Sequence, residues 1–583
     1  MPHQRYHWKN KEIREQIAVV NGKKSPDLIL KNATYLNSVL KKWMTANIWI
    51  YADRIVYVGE KLPENSGAAE IADLSGSYVV PGYIEPHSHP FQLYNPLTLA
   101  HYSSLKGTTT LINDNLVLAL QLPEKKAFTF IEDVQKKLPA SLYWWCRYDS
   151  QTELRDEDEL FSNGRIKAWL EHECVLQGGE LTAWPRVLQG DDLMLHWMQE
   201  TKRLRKPIEG HLPGASEKTL VNMKLLGVDC DHEAMTGEDV LKRLSLGYTA
   251  PLRHSSIRPD LPQLLDGINE LGIDQFEKLL FTTDGSTPSF YEQGLIDYMI
   301  KIAIDKGVPA EEAYLMASYY PARHYGIENS HGMIAPGRVA HLNILEDKQN
   351  PTPASVVAGG KWVLKNGEPV NEELFEMDLS PYGFDPLDIN WDIDPEDDFQ
   401  FSMPLGMEMQ NSVIMRPYSV NFDVSCDTLP SDNDENFLLL IDRNGHWRVN
   451  TILKGFGTSV KGFASSYSNS GDIIVIGKDK EDMLAAFSRM KEIGGGMVLA
   501  ENGGVAAEIP LQLLGGMSTE KMPELIEQHK MMTEELKKRG FPFSDPVYTC
   551  LFLSSTHLPY IRITPHGIHD VMKKTVLFPS IMR

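Results

Sequence analysis

The sequence is poor in cysteine, and its few cysteines are not grouped. Cys146, Cys174, Cys230, Cys426 and Cys550 are scattered along 583 residues and include no C-x-x-C pair. This pattern excludes a disulfide framework and a cysteine-based zinc site. It is typical of a reducing compartment. Because the cysteines are not grouped as metal ligands, we expect any bound metal to be held by His, Asp and Glu side chains.

Positive charge is also scarce. The chain has 57 Lys and Arg against 79 Asp and Glu, which gives a formal net charge of -22. Such a field repels phosphate backbones and anionic lipids, so neither nucleic acid nor a membrane is an expected partner. No apolar run reaches the ~20 residues of a transmembrane helix, and the polar start MPHQRYHWKNKEIREQ lacks the apolar region of a signal peptide. We therefore expect a cytoplasmic protein.

Two common catalytic signatures are absent as well. The chain has no G-x-S-x-G, the commonest serine-hydrolase signature, and GFGTSVKGFASS lacks the spacing of a phosphate-binding loop. Neither a phosphate site nor the commonest kind of serine hydrolase is therefore expected.

The length exceeds what one core usually supports, so several domains are expected. Between about residues 80 and 330, short apolar strands alternate with helical stretches, which predicts a parallel sheet, either doubly wound or closed as a (β/α)₈ barrel. Length and the repeated strand-end motifs favour the barrel. The predicted division is 1–79 and 331–377 for a small β domain, 80–330 for the barrel, 378–404 for an acidic linker and 405–583 for an α+β domain.

A calcium site is the alternative interpretation of the acidic segment 378–404. Asp388, Asn390, Asp392 and Asp394 alternate as calcium ligands do, but a Gly at the sixth loop position and a Glu at the twelfth are missing. A solvated acidic segment is the better interpretation.

Side chains that can bind metal follow five short apolar runs. His87 and His89 are one residue apart, so in a strand they point to the same face. The ends of barrel strands carry functional side chains, so we expect the whole set to meet. The set is His87, His89, Glu180, His211, His232 and Asp284.

Six nitrogen and oxygen ligands suit Zn, Mn or Fe, and they exceed what one catalytic ion with an open position needs. Two divalent ions sharing Glu180 as a bridge are therefore predicted. Each feature alone has an ordinary structural explanation: a lone H-x-H arises by chance, His211 fits a loop, and Asp284 before Gly fits a turn. Only their joint order along five strand ends indicates a metal site.

These residues, in this order, resemble the amidohydrolase superfamily of metal-dependent hydrolases. VVPGYIEPHSH looks like its hallmark strand, and GMIAPGRVAHLNIL looks like its return to the small β domain. Within the superfamily the chain most resembles bacterial adenine deaminases, through GGELTAWP, EGHLPG and DCDHEAMTGEDVLKRLSLGY. IGGGMVLAENGGVAAEIPLQLLGGM and PYIRITPHGIHDV resemble the C-terminal domain that distinguishes this branch.

The resemblance implies a (β/α)₈ TIM-like barrel with a composite β-sandwich domain and a C-terminal α+β domain. It also implies iron or manganese as the metal and a glutamate as the bridge. By resemblance, the six residues named above are the ligands, and Asp284 also shuttles protons.

Several segments depart from this family. They are PFQLYN at 90–95 in place of an I-E-S-S stretch, NDNLVL at 113–118 in place of DPHE, RHSS at 253–256 in place of R-E-G-S, and YSNSGD at 467–472 in place of H-D-S-H-N. His341 stands where the superfamily normally has Asp. Ligand positions are kept while positions expected to face substrate change, so the resemblance supports hydrolysis more firmly than it supports adenine.

The expected reaction is hydrolytic deamination of adenine to hypoxanthine and ammonia. Metal coordination lowers the pKa of water from 15.7 to about 7, roughly 12 kcal/mol of hydroxide availability, against about 3–5 kcal/mol from general base catalysis. We expect hydroxide near Glu180, Asp284 as its proton acceptor, and Glu233 as the acid for the ring or the leaving amine.

Two alternatives stay open from the residues alone. One is hydrolysis of another aminated heterocycle, a cyclic amide or an N-acyl amine, and the other is an inactive paralogue that binds a ligand. A small molecule is the expected partner, and large acidic enzymes of this size often form homodimers.

Overall fold

A computed structural model describes residues 9–431 and 433–583. Residues 1–8 of the predicted N-terminal domain therefore lie outside the described part. Within that part, no helix combines the length and the apolar character needed to cross a bilayer.

Residues before the barrel form the first half of a sheet. The elements are α1 (Asn10–Val20), β1 (Leu28–Asn37), β2 (Lys42–Tyr51), β3 (Arg54–Gly59), β4 (Glu70–Asp73) and β5 (Tyr78–Pro81). β2 and β3 form an antiparallel hairpin whose tight turn includes Ala52, with a φ of +52°. Ile48 and Ile50 of β2 are fully buried, as the two-residue period of a strand predicts.

Eight parallel strands follow and curl into a closed ring. They are β6 (Tyr83–Ser88), β7 (Thr108–Asn113), β8 (Ser141–Cys146), β9 (Val175–Leu181), β10 (Ile208–Gly210), β11 (Cys230–Asp231), β12 (Ala250–Arg253) and β13 (Leu279–Thr282). A bridge from Cys230 to Thr249 joins β11 to β12, and a bridge from Ser88 to Asp284 joins β13 back to β6. The TIM-barrel-type fold expected from the alternation of strands and helices is confirmed.

Helices connect and surround these strands. They are α2 (Pro96–Leu105), α3 (Leu116–Gln121), α4 (Glu124–Lys137), α5 (Glu157–Leu160), α6 (Asn163–Glu171), α7 (Trp184–Leu188), α8 (Asp192–Arg203), α9 (Glu217–Leu225), α10 (Gly237–Ser245), α11 (Leu261–Glu270), α12 (Ile296–Asp305), α13 (Ala310–Met316) and α14 (Tyr319–His324), with a 3₁₀ turn at Pro288–Gln293. The helical stretches predicted between the strands of residues 80–330 are confirmed, α9 and α10 among them. Ser216 and Thr236 cap two of them by accepting a backbone N–H three residues on.

After the barrel the chain completes the first sheet. It adds β14 (Leu342–Leu345), β15 (Ser355–Ala358), β16 (Lys361–Lys365) and β17 (Glu368–Pro369), and β14 pairs antiparallel with β5. Where a composite β-sandwich was expected, the hydrogen bonds run through one continuous nine-stranded sheet. Apolar side chains from its two ends, such as Ile55 and Trp362, share one core, so the sheet folds over on itself.

Residues 378–404 are not the freely solvated linker that their acidity suggests. Their exposed carboxylates alternate with apolar side chains that are buried, among them Ile389 and Ile393. Asp398 is buried in the short helix α15 (Pro395–Asp398) and pairs with Arg583 at 2.7 Å and Arg448 at 3.2 Å, nitrogen to oxygen. Buried apolar side chains and ion pairs hold this segment against the rest of the protein. Composition alone does not reveal these contacts.

The rest of the chain combines sheet and helix. It contains β18 (Leu405–Met409), β19 (Met415–Ser419), β20 (Glu435–Ile441), β21 (Trp447–Lys454), β22 (Gly462–Ser465), β23 (Ile473–Gly477), α16 (Lys480–Glu492), β24 (Gly496–Glu501), β25 (Gly504–Pro510), α17 (Met522–Lys538), α18 (Pro546–Phe552), β26 (Ile561–Thr564), β27 (Gly567–Asp570), β28 (Thr575–Pro579) and β29 (Ile581–Met582). β18 to β25 and β29 form a nine-stranded sheet. β23 lies in the apolar stretch GDIIVIG, and α16 lies in KEDMLAAFSRMKEIG.

The packing of α10 against α11 makes a testable prediction about stability. A Cβ on Gly267 would lie 2.9 Å from the backbone N and Cα of Gly237. Because backbone atoms cannot yield without shifting a helix, Gly267→Ala should lower the free energy of unfolding by about 1–3 kcal/mol.

Gly164→Ala in α6 is the matched control. A Cβ there meets no atom within 4 Å, so stability should stay the same or rise by up to about 1 kcal/mol. Urea unfolding followed by circular dichroism measures both variants. Equal midpoints for the two would contradict the packing argument.

Candidate functional site

The structure brings all six predicted ligand residues to the carboxyl ends of the barrel strands. His87 lies in β6, Glu180 lies in β9, and the other four follow β6, β10, β11 and β13 directly. Donor atoms lie within 4.8 Å of one another in three overlapping groups, which are His87–Glu180–His232, His87–His89–Asp284 and His211–His232–Glu233. Residues nearly 200 positions apart thus share one site.

Glu180 occupies the middle of this cluster. Its Oε1 lies 2.6 Å from His211 Nδ1 and 3.5 Å from His232 Nε2. Its Oε2 lies 4.0 Å from His87 Nε2 and 3.8 Å from His89 Nε2. Each carboxylate oxygen therefore faces a different pair of imidazoles, which is the arrangement that a bridging carboxylate needs.

Asp284 faces the first pair of imidazoles. Its Oδ1 lies 3.0 Å from His89 Nε2 and 3.5 Å from His87 Nε2, while Arg253 Nη1 donates to its Oδ2 at 2.9 Å. Its backbone has a φ of +52°, a left-handed conformation that non-glycine residues seldom adopt, and its N–H donates to Thr282 Oγ1 at 3.0 Å. The loop geometry thus directs Oδ1 of Asp284 toward His87 and His89, and Oδ2 toward the guanidinium group of Arg253.

Glu209 orients two of the histidines from behind. Its Oε2 lies 2.8 Å from His87 Nδ1 and its Oε1 lies 3.0 Å from His232 Nδ1. Burial alone would raise the pKa of Glu209, but the charge and hydrogen bonds of both imidazoles hold it well below its ordinary value. Since both Nδ1 atoms are occupied, both Nε2 atoms turn toward Glu180, the arrangement usual for metal-binding histidines.

Asp114 and Arg147 hold His89 and Glu180 in the same way. Asp114 Oδ2 lies 2.9 Å from His89 Nδ1, and Arg147 Nη2 lies 2.6 Å from that oxygen and 2.8 Å from Glu180 Oε2. Burial disfavours a charged imidazole, but the hydrogen bonds to Asp114 and Asp284 raise the pKa of His89 to about 10. This position therefore attracts positive charge.

Glu233 is fixed between two guanidinium groups. Arg253 Nη1 lies 2.6 Å from its Oε1, and Arg258 Nη1 lies 2.6 Å from its Oε2. Burial raises the pKa of Glu233, but Arg253 and the neighbouring imidazoles hold it well below its ordinary value. The resting form of Glu233 is therefore the carboxylate.

The sequence reasoning missed Glu209, Asp114, Arg147 and Arg258. Glu209 had a usable signal, because it precedes the predicted ligand His211 by two residues in the same strand end, KPIEGH. Asp114 and Arg147 directly follow β7 and β8, so they too stand at strand ends, whereas Arg258 contacts Glu233 and its position in the sequence carries no such signal.

The donor set fits a divalent metal ion. His211 Nδ1 and His232 Nε2 are buried and make no well-directed hydrogen bond to any residue that the structure describes, although carboxylate oxygens lie within 3.5 Å of both. The cluster holds five carboxylates: Asp114, Glu180, Glu233 and Asp284 pair with the guanidinium groups of Arg147, Arg253 and Arg258, whereas Glu209 contacts His87 and His232. Buried lone pairs and unbalanced negative charge are costly, and a cation among nitrogen and oxygen donors offsets both.

C-terminal residues hold the loop that carries Asp284. The Tyr548 hydroxyl donates to the carbonyl oxygen of Gly285, and Thr287 Oγ1 donates to Asp545 Oδ2 at 2.6 Å. This part of the chain also brings the His557 ring to 5.7 Å from the His211 ring, centroid to centroid. The C-terminal part therefore takes part in building the site.

A pocket opens beside His89, between the barrel and the C-terminal part. Three of the segments that depart from the family supply much of its lining. They contribute Phe91 and Gln92 from 90–95, Asp114, Leu116 and Val117 from 113–118, and Tyr467, Ser468, Asn469 and Gly471 from 467–472. Changes that are scattered in the sequence are therefore neighbours in space, next to a predicted ligand.

Comparison with known proteins extends these observations. Residues 78–363 match the amidohydrolase family, and residues 412–575 match the adenine deaminase C-terminal domain. Among solved structures, the chain is similar to a β-aspartyl dipeptidase of Fervidobacterium islandicum AW-1, with a TM-score of 0.47 and 18% identity over 60% of this chain and 99% of that one.

Relatives in sequence cover the whole chain. A candidate adenine deaminase of Halalkalibacterium halodurans is 56% identical over 100% of both chains, and one of Bacillus subtilis is 53% identical over 100% of both. An adenine deaminase of Kosmotoga olearia is 29% identical over 96% of this chain and 97% of its own. The chain therefore belongs to the adenine deaminase family of the amidohydrolases.

Proposed function

We propose that this protein hydrolyses adenine to hypoxanthine and ammonia. The observation that carries the proposal is the position of Glu180, whose two oxygens face two pairs of imidazoles beside a pocket. Relatives named as adenine deaminases, over the full length of the chain, support adenine as the substrate.

The proposed cofactor is a pair of divalent ions, manganese or iron, with zinc as an alternative. His87, His89 and Asp284 would hold one ion, His211 and His232 would hold the other, and Glu180 would be shared. Bound ions of this kind lower the pKa of water from 15.7 to about 7 and so supply hydroxide at neutral pH.

Asp284 is the proposed proton acceptor. Burial raises the pKa of its carboxyl group, but hydrogen bonds to His87 and His89 and the charge of Arg253 hold it well below the ordinary value. Asp284 is therefore ionised at neutral pH and ready to accept a proton from the attacking water.

The sequence suggests Glu233 as the acid that protonates the ring or the leaving amine. The proposed role differs, because Glu233 starts as a carboxylate. Since Arg253 and Arg258 keep it ionised, Glu233 must first gain a proton before it gives one to the leaving amine. Arg253 Nη1 contacts both Glu233 and Asp284, so the two carboxylates lie side by side for such a relay. The water oxygen bonds to C6, the C6–N6 bond breaks, and one water proton completes ammonia while the other ends on the purine ring.

A second candidate is hydrolysis of another aminated heterocycle by the same site. The clustering of three departing segments around the pocket favours it. A cytoplasmic location and a homodimer complete the proposal, and all five cysteines being free thiols fits a reducing compartment.

The proposed reaction predicts how the turnover of adenine responds to loss of Asp284. Manganese-loaded protein should release ammonia from adenine, and Asp284→Asn should lower kcat by about 10²–10⁴-fold, since the amide cannot accept the proton. Asp266→Asn is the control, because Asp266 is an exposed carboxylate paired with Lys306 and its loss should leave kcat unchanged.

The assay follows hypoxanthine by absorbance and normalises each rate to bound metal. Turnover of Asp284→Asn close to wild type would contradict the role of Asp284. Ammonia release from another aminated heterocycle, without release from adenine, would establish the second candidate instead.

A further prediction concerns metal affinity. Glu209→Gln replaces one of two acceptors by a donor, so it can satisfy only one of the His87 and His232 Nδ1–H groups. The Kd for manganese should rise about 10–100-fold, as when other groups that orient metal ligands are lost.

Glu200→Gln serves as the control, since Glu200 lies on the surface and pairs with Arg203. Competition with a chromophoric chelator measures both variants. An unchanged Kd in Glu209→Gln would show that Glu209 does not prepare the histidines for metal.

A further inference from the structure

Gln92 presents an unpaired donor in the pocket beside His89. Its side chain is only 8% exposed, and it lines the pocket together with His89. Its Oε1 accepts a hydrogen bond from the hydroxyl of Tyr467, but none of the described residues accepts one from its Nε2. Because the side chain lines the pocket, its N–H₂ group can donate to an acceptor on a ligand.

The nitrogen lies against the backbone that follows Asp284. A Cβ built on Gly285 would come within 2.8 Å of Gln92 Nε2 and within 3.0 Å of His89 Cδ2. The free N–H₂ group is therefore next to the proposed metal ligands, at the end of the pocket where the reacting part of a substrate would sit.

The hydrogen bond from the Tyr467 hydroxyl determines which end of the Gln92 side-chain amide is free. The tyrosine is 5% exposed, and within the described part of the chain its hydroxyl proton has no acceptor besides Gln92 Oε1. A reversed amide would leave that buried proton unpaired. The amide is thus held with its oxygen occupied and its nitrogen available.

We infer that Gln92 is a specificity-determining residue that donates to an acceptor ring nitrogen of the substrate, with Tyr467 as the residue that positions it. The inference rests on the proposed function and deepens it. Adenine offers such acceptors at N1, N3 and N7, and the apolar side chains of Phe91, Leu116 and Met517 line the same pocket for a flat ring. The pair joins two of the departing segments, so selectivity would depend on the C-terminal part of the chain.

The test measures binding of unreactive ligands by calorimetry. The ligands are purine and its 1-deaza, 3-deaza and 7-deaza analogues, each of which replaces one acceptor nitrogen by C–H. Wild-type protein should bind one analogue about three- to tenfold more weakly than purine through loss of this bond. In Gln92→Met, which keeps the length of the side chain but removes the donor, that difference should disappear.

Further variants distinguish loss of the hydrogen bond from Gln92 from a general change in the structure of the pocket. Gln92→Glu retains the shape and should lose the same discrimination, and it carries the test if Gln92→Met does not fold. Tyr467→Phe should reduce the discrimination, whereas Tyr418→Phe, which removes a buried hydroxyl without a hydrogen-bond partner in the C-terminal sheet, should leave it intact.

The outcomes separate this inference from the proposed function. Identical affinity ratios in wild type and both Gln92 variants would overturn the role of Gln92, as would a wild type that does not bind purine. If the discrimination is found and lost as expected while wild type does not deaminate adenine, the inference stands and the proposed reaction fails.

Discussion

The contact between β6 and β13 is the constraint on which the site depends, because it closes the barrel. Glu85 of β6 accepts hydrogen bonds from Thr283 N at 2.9 Å, Thr283 Oγ1 at 2.7 Å and Thr282 Oγ1 at 2.8 Å. These bonds join residues 197 and 198 positions apart, and they place Asp284 opposite the two histidines that follow Glu85. Burial raises the pKa of Glu85 to about 7 against these hydrogen bonds, so the closing contact is a carboxyl group held by hydroxyl and backbone donors.

Once the strand ends meet, charge compensation governs the rest. Arg147, Arg253 and Arg258 reach the carboxylates from outside, and Glu209 uses both of its oxygens to turn two imidazoles inward. The proposed metal ligands are thereby oriented by groups that do not face the centre, which is how buried polar sites attain a fixed geometry. The C-terminal part adds a second support by holding the Asp284 loop through Tyr548.

The chemistry of the site could be predicted from the sequence because it depends on side-chain type at the ends of strands. His87, His89 and Asp284 each follow a short apolar run, and a barrel must bring such ends together. The Gln92–Tyr467 pair could not be predicted in this way. Gln92 and Tyr467 are 375 positions apart, and only the docking of the C-terminal part onto the barrel makes them partners. The burial of Ile389 and Ile393 in the acidic segment could not be predicted for the same reason, since it depends on a surface that composition does not describe.

The central claim is that far-separated imidazoles and carboxylates hold two cations on either side of Glu180. Anomalous diffraction from crystals of manganese-loaded protein tests it most directly. The account predicts two anomalous peaks that flank the Glu180 carboxylate, one among His87, His89 and Asp284 and the other between His211 and His232. A map without a peak among these residues, or with its peaks elsewhere in the protein, would contradict the account.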